Sequence, residues 1–444
     1  MHAFGLPEVW LEKRYTRPMD EQQFDIVIIG AGLAGLSLAT RFCAPQFAHL
    51  RVAVIDPRTS FGATHTWSFF QQAPHPFMDC ILPQRQWRKL QVNANGAQSA
   101  AHDFAATPYC SIESTAFFDK CLKTMAGNAR IQGFFGHRVD GLRALDGGGA
   151  TVAAVNVATG IAMQLQAKLV FDSRPPAGSA SSKTAWIQAF AGWEITVAAT
   201  SQPFAELISA GEAVLMDFMP SLLDAAGRSM PTFIYLLPSS ATQALVQATV
   251  FVPPGAIPPS DAALQALALQ YLRTKFGELN IIAQTAEAGR IVMDAAIAPC
   301  QALQTITKIG AGGGFVRAAT GYSFTRTQRA CEALEKAVLR AFPAHSLGDI
   351  AQNLPVPISF QSRAVPWLDA VFLEAIGAPD LDVGKLMARL FDTVPATRLV
   401  RFLDGNARAA DVLAVVMACP KWVFMRSFFV CAWRFLNRAG GSAR

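Results

Sequence analysis

The segment from Phe24 to Asp56 sets out, in order, an apolar run, a glycine turn, a helix-sized stretch and a second apolar run that ends on an acid. FDIVIIG has the length and β-branched content of a buried strand. GAGLAGL follows at once, SLATRFCA continues with helix-compatible residues, and RVAVID closes the unit. This order predicts a βαβ unit. Gly30, Gly32 and Gly35 give the G-x-G-x-x-G spacing: the first makes the tight turn, the second lets a pyrophosphate approach the backbone, and the third lets the helix pack on the strand. Ala31 lies inside that turn, so its backbone belongs to the same cradle. Asp56 follows Gly35 by 21 residues at the end of the second strand, where a carboxylate accepts hydrogen bonds from the hydroxyls of an unphosphorylated adenosine ribose.

The fingerprint alone does not separate FAD from NAD. A second glycine cluster, KIGAGGGFVRAATGYSFTRTQRACEAL, supplies Gly312, Gly313, Gly314 and Gly321. Beyond it Cys331, Leu334, Val338 and Phe342 recur at helical spacing, so a helix starting near Ser323 aims its amino terminus at whatever the glycines hold. The partial positive charge there favours an anionic reduced flavin. A chain that opens with one glycine turn and returns near residue 310 with another has the pattern of a discontinuous FAD domain.

Composition narrows the class. The 444 residues are 52% hydrophobic and 16% charged, too apolar for disorder and long enough for two or three domains. The mean hydropathy of +0.27 would admit a membrane protein, but no run of about 18 apolar residues occurs, so membrane contact is expected to be peripheral. A net charge of +6, spread thinly with no basic and aromatic tract in the first or middle parts, argues against nucleic acid as a partner. Cysteines 43, 80, 110, 121, 300, 331, 419 and 431 form no CxxC pair and no metal-like cluster, and read as thiols of a reducing cytoplasm. Residues 1–23 lack the apolar core of a secretory signal and read as an amino-terminal extension.

Along this frame a series of short segments resembles the FAD-dependent lycopene cyclases of carotenoid biosynthesis. They are the fingerprint, His65-Thr66-Trp67-Ser68-Phe69, Tyr109 to Ser114, Phe171-Asp172-Ser173-Arg174, Gln188 to Ile195, Leu215-Met216-Asp217, Tyr235 to Pro238, Thr320 to Ser323 and Arg401 to Gly405, in the family's order. The resemblance implies a mixed α/β flavoprotein of para-hydroxybenzoate-hydroxylase type in which reduced FAD, with NAD(P)H as a possible electron source, assists a reaction without net redox change. The ψ-end of lycopene is protonated, the carbocation closes a ring, and a proton leaves. Such chemistry needs a proton donor, a wall that tolerates a cation, and a base. Trp67, Phe69, Trp193, Tyr235 and Phe251 lie in matching segments and suit the wall through cation–π attraction, or else serve as ordinary core. His65 sits in a segment that the resemblance places near the flavin.

One departure bears on the chemistry. The family strand reads roughly L-hydrophobic-E-x-T, and here it reads Leu245-Val246-Gln247-Ala248-Thr249. Leu245, Gln247, Thr249 and Phe251 share a strand face, so Gln247 stands where the resemblance puts the carboxylate, with no titratable proton to give. Either Asp217 or Glu194 takes over proton transfer, or the scaffold serves another flavin reaction on an isoprenoid, a monooxygenase or oxidoreductase reaction, or it binds carotenoid without turnover. No metal site and no nucleophile motif is present in the sequence pattern.

The expected organisation is a discontinuous FAD-binding domain over 24–75, 105–178 and 290–345, a substrate-binding sheet domain over 76–104 and 179–289, and a helical carboxy-terminal region over 346–444. The stretches 184–196 and 213–251 read as antiparallel strands roofing the flavin, and 260–277 as a helix capped by Ser260 or Asp261. The last segment, KWVFMRSFFVCAWRFLNR, joins aromatic and basic residues in the manner of a helix lying on the inner face of a membrane.

Overall fold

The computed structural model describes residues 22–62, 65–72, 77, 85–94, 96, 100–175, 184–294, 305–342 and 364–441. The expected extension at 1–23 lies almost entirely outside them, as do Cys80 and Cys300. The first strand, Gln22–Ile29, pairs in parallel with Val52–Asp56 on one side and with Ala162–Asp172 on the other. Ile131–Phe135 extends the sheet beyond Val52–Asp56, and the antiparallel strands Ala150–Asn156 and His137–Ala144 extend the opposite side. The late strand Ile306–Lys308 returns to pair in parallel with Ala162–Asp172, which is the discontinuity that the second glycine cluster implies.

Both faces of the first strand are covered, which is why its sequence is continuously apolar rather than alternating. Ile26 and Ile28 pack with helices Leu33–Arg41, Ser114–Ala126 and Phe324–Ala341, while Val27 and Ile29 pack with the meander of antiparallel strands. A second sheet of seven strands runs Ile281–Met293, Trp186–Val197, Gln243–Val252, Ser229–Ser240, Glu212–Leu223, Lys89–Asn93 and His102–Asp103. Its central strands alternate. Ala189, Ala191, Ala248 and Val250 face helix Asp261–Phe276, and Gln188, Phe190, Gln247 and Phe251 face a cavity on the other side. The helix starts where expected, with Ser260 Oγ accepting from the Ala263 N–H at 3.2 Å.

A small sheet of Thr66–Phe70, Tyr109–Glu113 and Gln86–Trp87 stands beside the cavity. The chain ends in helices Val365–Ile376, Val383–Thr393, Ala396–Leu403, Ala409–Ala418 and Lys421–Gly441. Their apolar residues Leu386, Met387, Leu390 and Phe391 share a core with Leu215, Phe218 and Phe233 of the second sheet. A buried ion pair of Arg317 with Asp369, at 2.8 Å, ties this region to the second glycine segment. Among the described residues no helix is long and apolar enough to cross a membrane.

Candidate active site

The two glycine clusters meet. Gly30 adopts φ +95°, and a Cβ there would lie 2.0 Å from Ser173 Oγ, so the turn at the end of the first strand admits only glycine. Gly35 has its own reason, since a Cβ would fall 1.9 Å from the Gly30 carbonyl oxygen. Gly32, by contrast, faces open space at the amino terminus of Leu33–Arg41, which has no side-chain cap and no acid in its first turn. Such a terminus presents free N–H groups to an anion. The Gly310–Gly313 turn abuts it, with the Gly310 Cβ position 3.4 Å from Ala34, and Gly312, Gly313 and Gly314 are not among the residues that line the cavity described below.

Asp56 ends its strand as expected, but not alone. The Ala31 N–H donates to Asp56 Oδ2 at 2.7 Å, and Arg58 donates from its backbone and from Nε and Nη2, at 2.9, 2.8 and 2.9 Å. Arg58 Nη2 also reaches the Ala31 carbonyl at 3.0 Å, so this arginine closes the fingerprint turn onto the acid. Sequence reasoning missed it, although an arginine two residues after the strand's terminal acid was there to be read. Burial works against the Asp56 charge, but the Arg58 and Ala31 hydrogen bonds outweigh it and hold the carboxyl below its usual range. The open Gly32, the uncapped helix and the charged Asp56 and Arg58 fit the ADP half of FAD.

Beyond this cradle lies a cavity of about 420 Å³, bounded by the second sheet, the small sheet, segment Val316–Ser323 and the carboxy-terminal helices. Gly321, at φ +71°, brings the backbone against this wall; a Cβ there would lie 2.7 Å from Gln188 Oε1. Helix Phe324–Ala341 begins at the same place, with no side-chain cap and no acid in its first turn, as the glycine cluster predicts. His65, Trp67, Tyr235, Gln247, Phe251 and Gly321 line the cavity, so six of the expected site residues come together there.

The acid on the wall is one that the sequence reading did not name. Strand register aligns Tyr235, Gln247, Gly192 and Glu287 in one row across four strands. At Gly192 a Cβ would lie 1.9 Å from the Val246 carbonyl, so the row has a gap between the Gln247 and Glu287 side chains. Glu287 is the only carboxylate among the described residues lining the cavity. Loss of water raises its pKa to about 7; the Thr66 donors lower it, Glu194 raises it, and the Gln247 amide lowers it. Thr66 donates from N at 2.7 Å and from Oγ1 at 3.2 Å. The Gln247 amide acts on Glu287 electrostatically at short range, but its Nε2 meets no partner in hydrogen-bond geometry among the described residues. The missed signal is modest: a lone acid among the mostly small and apolar residues of Ile281–Met293, IIAQTAEAGRIVM.

Around this carboxyl the wall is aromatic and hydroxylic. Tyr235 OH donates to Tyr109 OH at 2.8 Å, and Tyr322 and Ser68 join the same cluster. Removal from water pushes all three tyrosines up, so they stay neutral. His65 packs edge-on to Trp67 at 4.4 Å, and burial, with the charge of Arg58, brings its pKa down to about 4.

Four expected residues lie elsewhere. Asp217 is on the helix side of the second sheet, accepting from Tyr271 OH at 2.7 Å with Lys275 Nζ at 3.9 Å. A register shift between Val214 and Asp217 lets both Leu215 and Met216 face the cavity and turns the next side chain away. Trp193 follows Gly192 and so faces the opposite side, packed with the core under Asp261–Phe276. Phe69 is fully buried and stacks on Phe324 at 4.5 Å, in the core of the first unit. Glu194 points to the cavity side but binds Arg85 at 2.5 Å, together with Glu113, outside the lining. No group of side chains suited to a metal occurs among the described residues.

Comparison with known proteins gives one family and one fold. The family model described as lycopene cyclase protein matches residues 25–428. Oxidoreductase PigB of Serratia sp. (strain ATCC 39006) is 32% identical over 74 residues, which are 17% of this chain and 10% of that protein. The matched part therefore spans a tenth of the length of that curated relative. A flavoprotein/dehydrogenase from Cytophaga hutchinsonii superposes with TM-score 0.60 at 10% identity, over 91% of this chain and 99% of its own. A geranylgeranyl bacteriochlorophyll reductase-like protein from Thermoplasma acidophilum gives 0.58 at 11%, over 91% and 98%. The p-nitrophenol 4-monooxygenase PnpA of Pseudomonas putida DLL-E4 gives 0.55 at 12%, over 87% and 99%. The fold is that of the para-hydroxybenzoate-hydroxylase type of flavoprotein, as the sequence implies.

Proposed function

The chain belongs to the lycopene cyclase family, and from that premise we propose that it closes the ψ-end of lycopene, or of a related polyene, into a ring without net redox change. The observation that carries this reading is Glu287, the one carboxyl among the described residues on a largely aromatic cavity wall, with a pKa of about 7. A general acid works best when its pKa lies near the working pH, so that it holds a proton and can still release it.

In this reading the Glu287 carboxyl gives its proton to the terminal carbon–carbon double bond of the polyene. The cation formed is attacked by the next suitably placed double bond, which closes the ring, and a proton leaves the ring carbon to restore a double bond. One proton enters and one leaves, so the product is an isomer. Thr66 Oγ1, a donor to the carboxylate, can turn to accept from the protonated acid, which holds the proton's carrier in place through both states. Trp67, Phe190, Phe233, Tyr235 and Phe251 present faces that favour a passing positive charge. The tyrosine hydroxyls, kept neutral, offer no phenolate to capture it, and the apolar lining excludes water that would add to it. His65, neutral at physiological pH, is the acceptor for the departing proton.

FAD fits the cradle: the Gly30 to Gly35 turn, the amino terminus of Leu33–Arg41 and Asp56 with Arg58 would hold its ADP half, and Gly321 with the start of Phe324–Ala341 would meet its ring. When bound and reduced, with NAD(P)H as a candidate electron source, the flavin would supply negative charge beside the cavity, which would favour positive charge on the substrate. The test is an anaerobic incubation of the protein with chemically reduced FAD and lycopene in liposomes, the products being separated by chromatography and mass. A ring-containing product of unchanged mass is expected. An oxygenated product in air, with oxygen uptake coupled to NAD(P)H, would instead make the protein a monooxygenase, and lycopene returned unchanged with flavin bound would end the cyclase reading.

A further inference from the structure

Independently of that reaction, we propose that helices Ala409–Ala418 and Lys421–Gly441 form a docking face for the surface of an anionic lipid bilayer. The last helix buries one stripe, Val423, Ser427 and Cys431, toward Val365–Ile376. On the other side it leaves a larger stripe in water: Trp422 is 71% exposed, Phe429 66% and Trp433 68%, with Met425 between them. Their spacing of three and four residues puts them on one side of the helix. Leu413, Val416 and Met417 add a second exposed apolar row on the preceding helix. Contiguous exposed aromatic surface of this kind is uncommon on a water-facing helix and marks an interaction site.

Charge selects the occupant. Residues 412–444 contain Lys421, Arg426, Arg434, Arg438 and Arg444 and no acidic residue. Two of these are fixed by the body, Arg426 to Asp380 at 2.8 Å and Arg434 to Glu374 at 2.6 Å, so the helix is clamped with its aromatic stripe outward rather than free to roll it inward. The acid of the preceding helix, Asp411, is buried against Arg401, so with Arg426 and Arg434 paired it is Lys421 that stands exposed beside the aromatic stripe, and an anionic headgroup layer offers it opposite charge with apolar acyl chains beneath. The face also adjoins the cavity: Ala409–Ala418 packs on Val383–Thr393 and Ala396–Leu403, whose Met387, Phe391 and Leu403 line it. A ligand dissolved in the bilayer would thus start one helix layer from the site.

The experiment is cosedimentation of the full chain, with no polyene added, with vesicles of phosphatidylcholine containing one-third phosphatidylglycerol, and with vesicles of phosphatidylcholine alone. The chain is expected to pellet with the anionic vesicles and to be released by salt. The combined Trp422→Ser, Phe429→Ser, Trp433→Ser variant should lower partitioning about 100-fold. Lys421→Glu should lower it several-fold, and Val157→Ser with Ile161→Ser, exposed apolar residues on a distant strand turn, should leave it unchanged. Wild-type protein that stays in the supernatant overturns the proposal, as does an aromatic triple variant that keeps its fold by circular dichroism and binds equally well. A dimer dissolved by the triple variant, without vesicle binding, would assign the face to a second copy and also overturn it. Ring formation by the triple variant in detergent micelles reports on the proposed reaction separately, so failure of either reading leaves the other standing.

Discussion

The two sheets treat their carboxylates in opposite ways. Asp56 and Asp172 each end a parallel strand, and each is clamped by an arginine two residues later, Arg58 in one case and Arg174 in the other. Lys308 adds a second cation to Asp172 at 2.8 Å. Burial opposes both charges, yet the donors win and both carboxyls sit below the usual range. Glu287, at the middle of an antiparallel strand, has a threonine and an amide instead of a cation, and loss of water wins. The first pair are fixed charges suited to holding backbone and cofactor, and the third is a held proton suited to chemistry. What separates them is the partner and not the depth alone.

The largest expected effect breaks the Glu287 side of this contrast. Glu287→Gln should lower ring formation by about 100- to 10,000-fold while flavin binding, which rests on the other sheet, stays as it was. Ring formation within threefold of wild type in a quenched anaerobic assay would take the acid role from Glu287. Moving the carboxyl along the same row sharpens the point: Glu287→Gln combined with Gln247→Glu should recover part of the lost rate, because both positions face the gap at Gly192. No recovery, with the variant folded, would show that position 247 does not reach the reacting end.

The pH dependence follows from the same group. A carboxyl with a pKa of about 7 is protonated below that value, so the rate should be level in mild acid and fall about tenfold per pH unit above it. A pH–rate profile flat to pH 9 would contradict this. Stability carries the matching sign: a raised folded pKa contributes stability that is fully present below the ordinary glutamate range and is lost as pH rises through about 7. Glu287→Gln should therefore be more stable than wild type at pH 8, by on the order of 1–3 kcal/mol in denaturant titration, and much closer to it at pH 5. On the opposite sheet, Arg58→Met removes the clamp from Asp56 and should weaken FAD retention about tenfold, the worth of hydrogen bonds to a charged group. FAD titration followed by fluorescence would check it, and unchanged affinity would mean that Arg58 serves the turn alone.

The first unit was legible because its signals are contiguous. Strand, turn, helix and terminal acid occupy residues 24–56, and Gly30 and Gly35 each have a local steric reason, while Gly32 leaves open space at the helix amino terminus. The cavity wall is assembled from strands far apart in sequence, and there parity decides everything. Gln247 and Phe251 were placed on the correct face by counting in twos, and the same count applied to 186–197 puts Gly192 inward and Trp193 outward, which the motif match alone had concealed. Glu287 escaped because its partners are long-range: nothing near it in sequence announces that Thr66, more than two hundred residues earlier, will bind it. Asp217 was misplaced for the opposite reason, since a bulge breaks the count within its own strand.

The smallest expected effect tests that last distinction. Asp217 sits between Tyr271 and Lys275 on the helix side, away from the cavity lining, so its carboxylate serves the packing of Asp261–Phe276 on the sheet. Asp217→Asn keeps the shape and an acceptor for Tyr271 OH but removes the charge facing Lys275. Ring formation should stay within twofold of wild type, and stability should fall by about 1 kcal/mol, the usual scale for a partly exposed ion pair and one hydrogen bond. Turnover and a melt on the same preparation separate the outcomes. If turnover collapsed while the melt did not move, the bulge would have to be open to rearrangement, the acid would belong to both sides of the sheet, and the division between fixed charges and a single held proton would no longer describe the molecule.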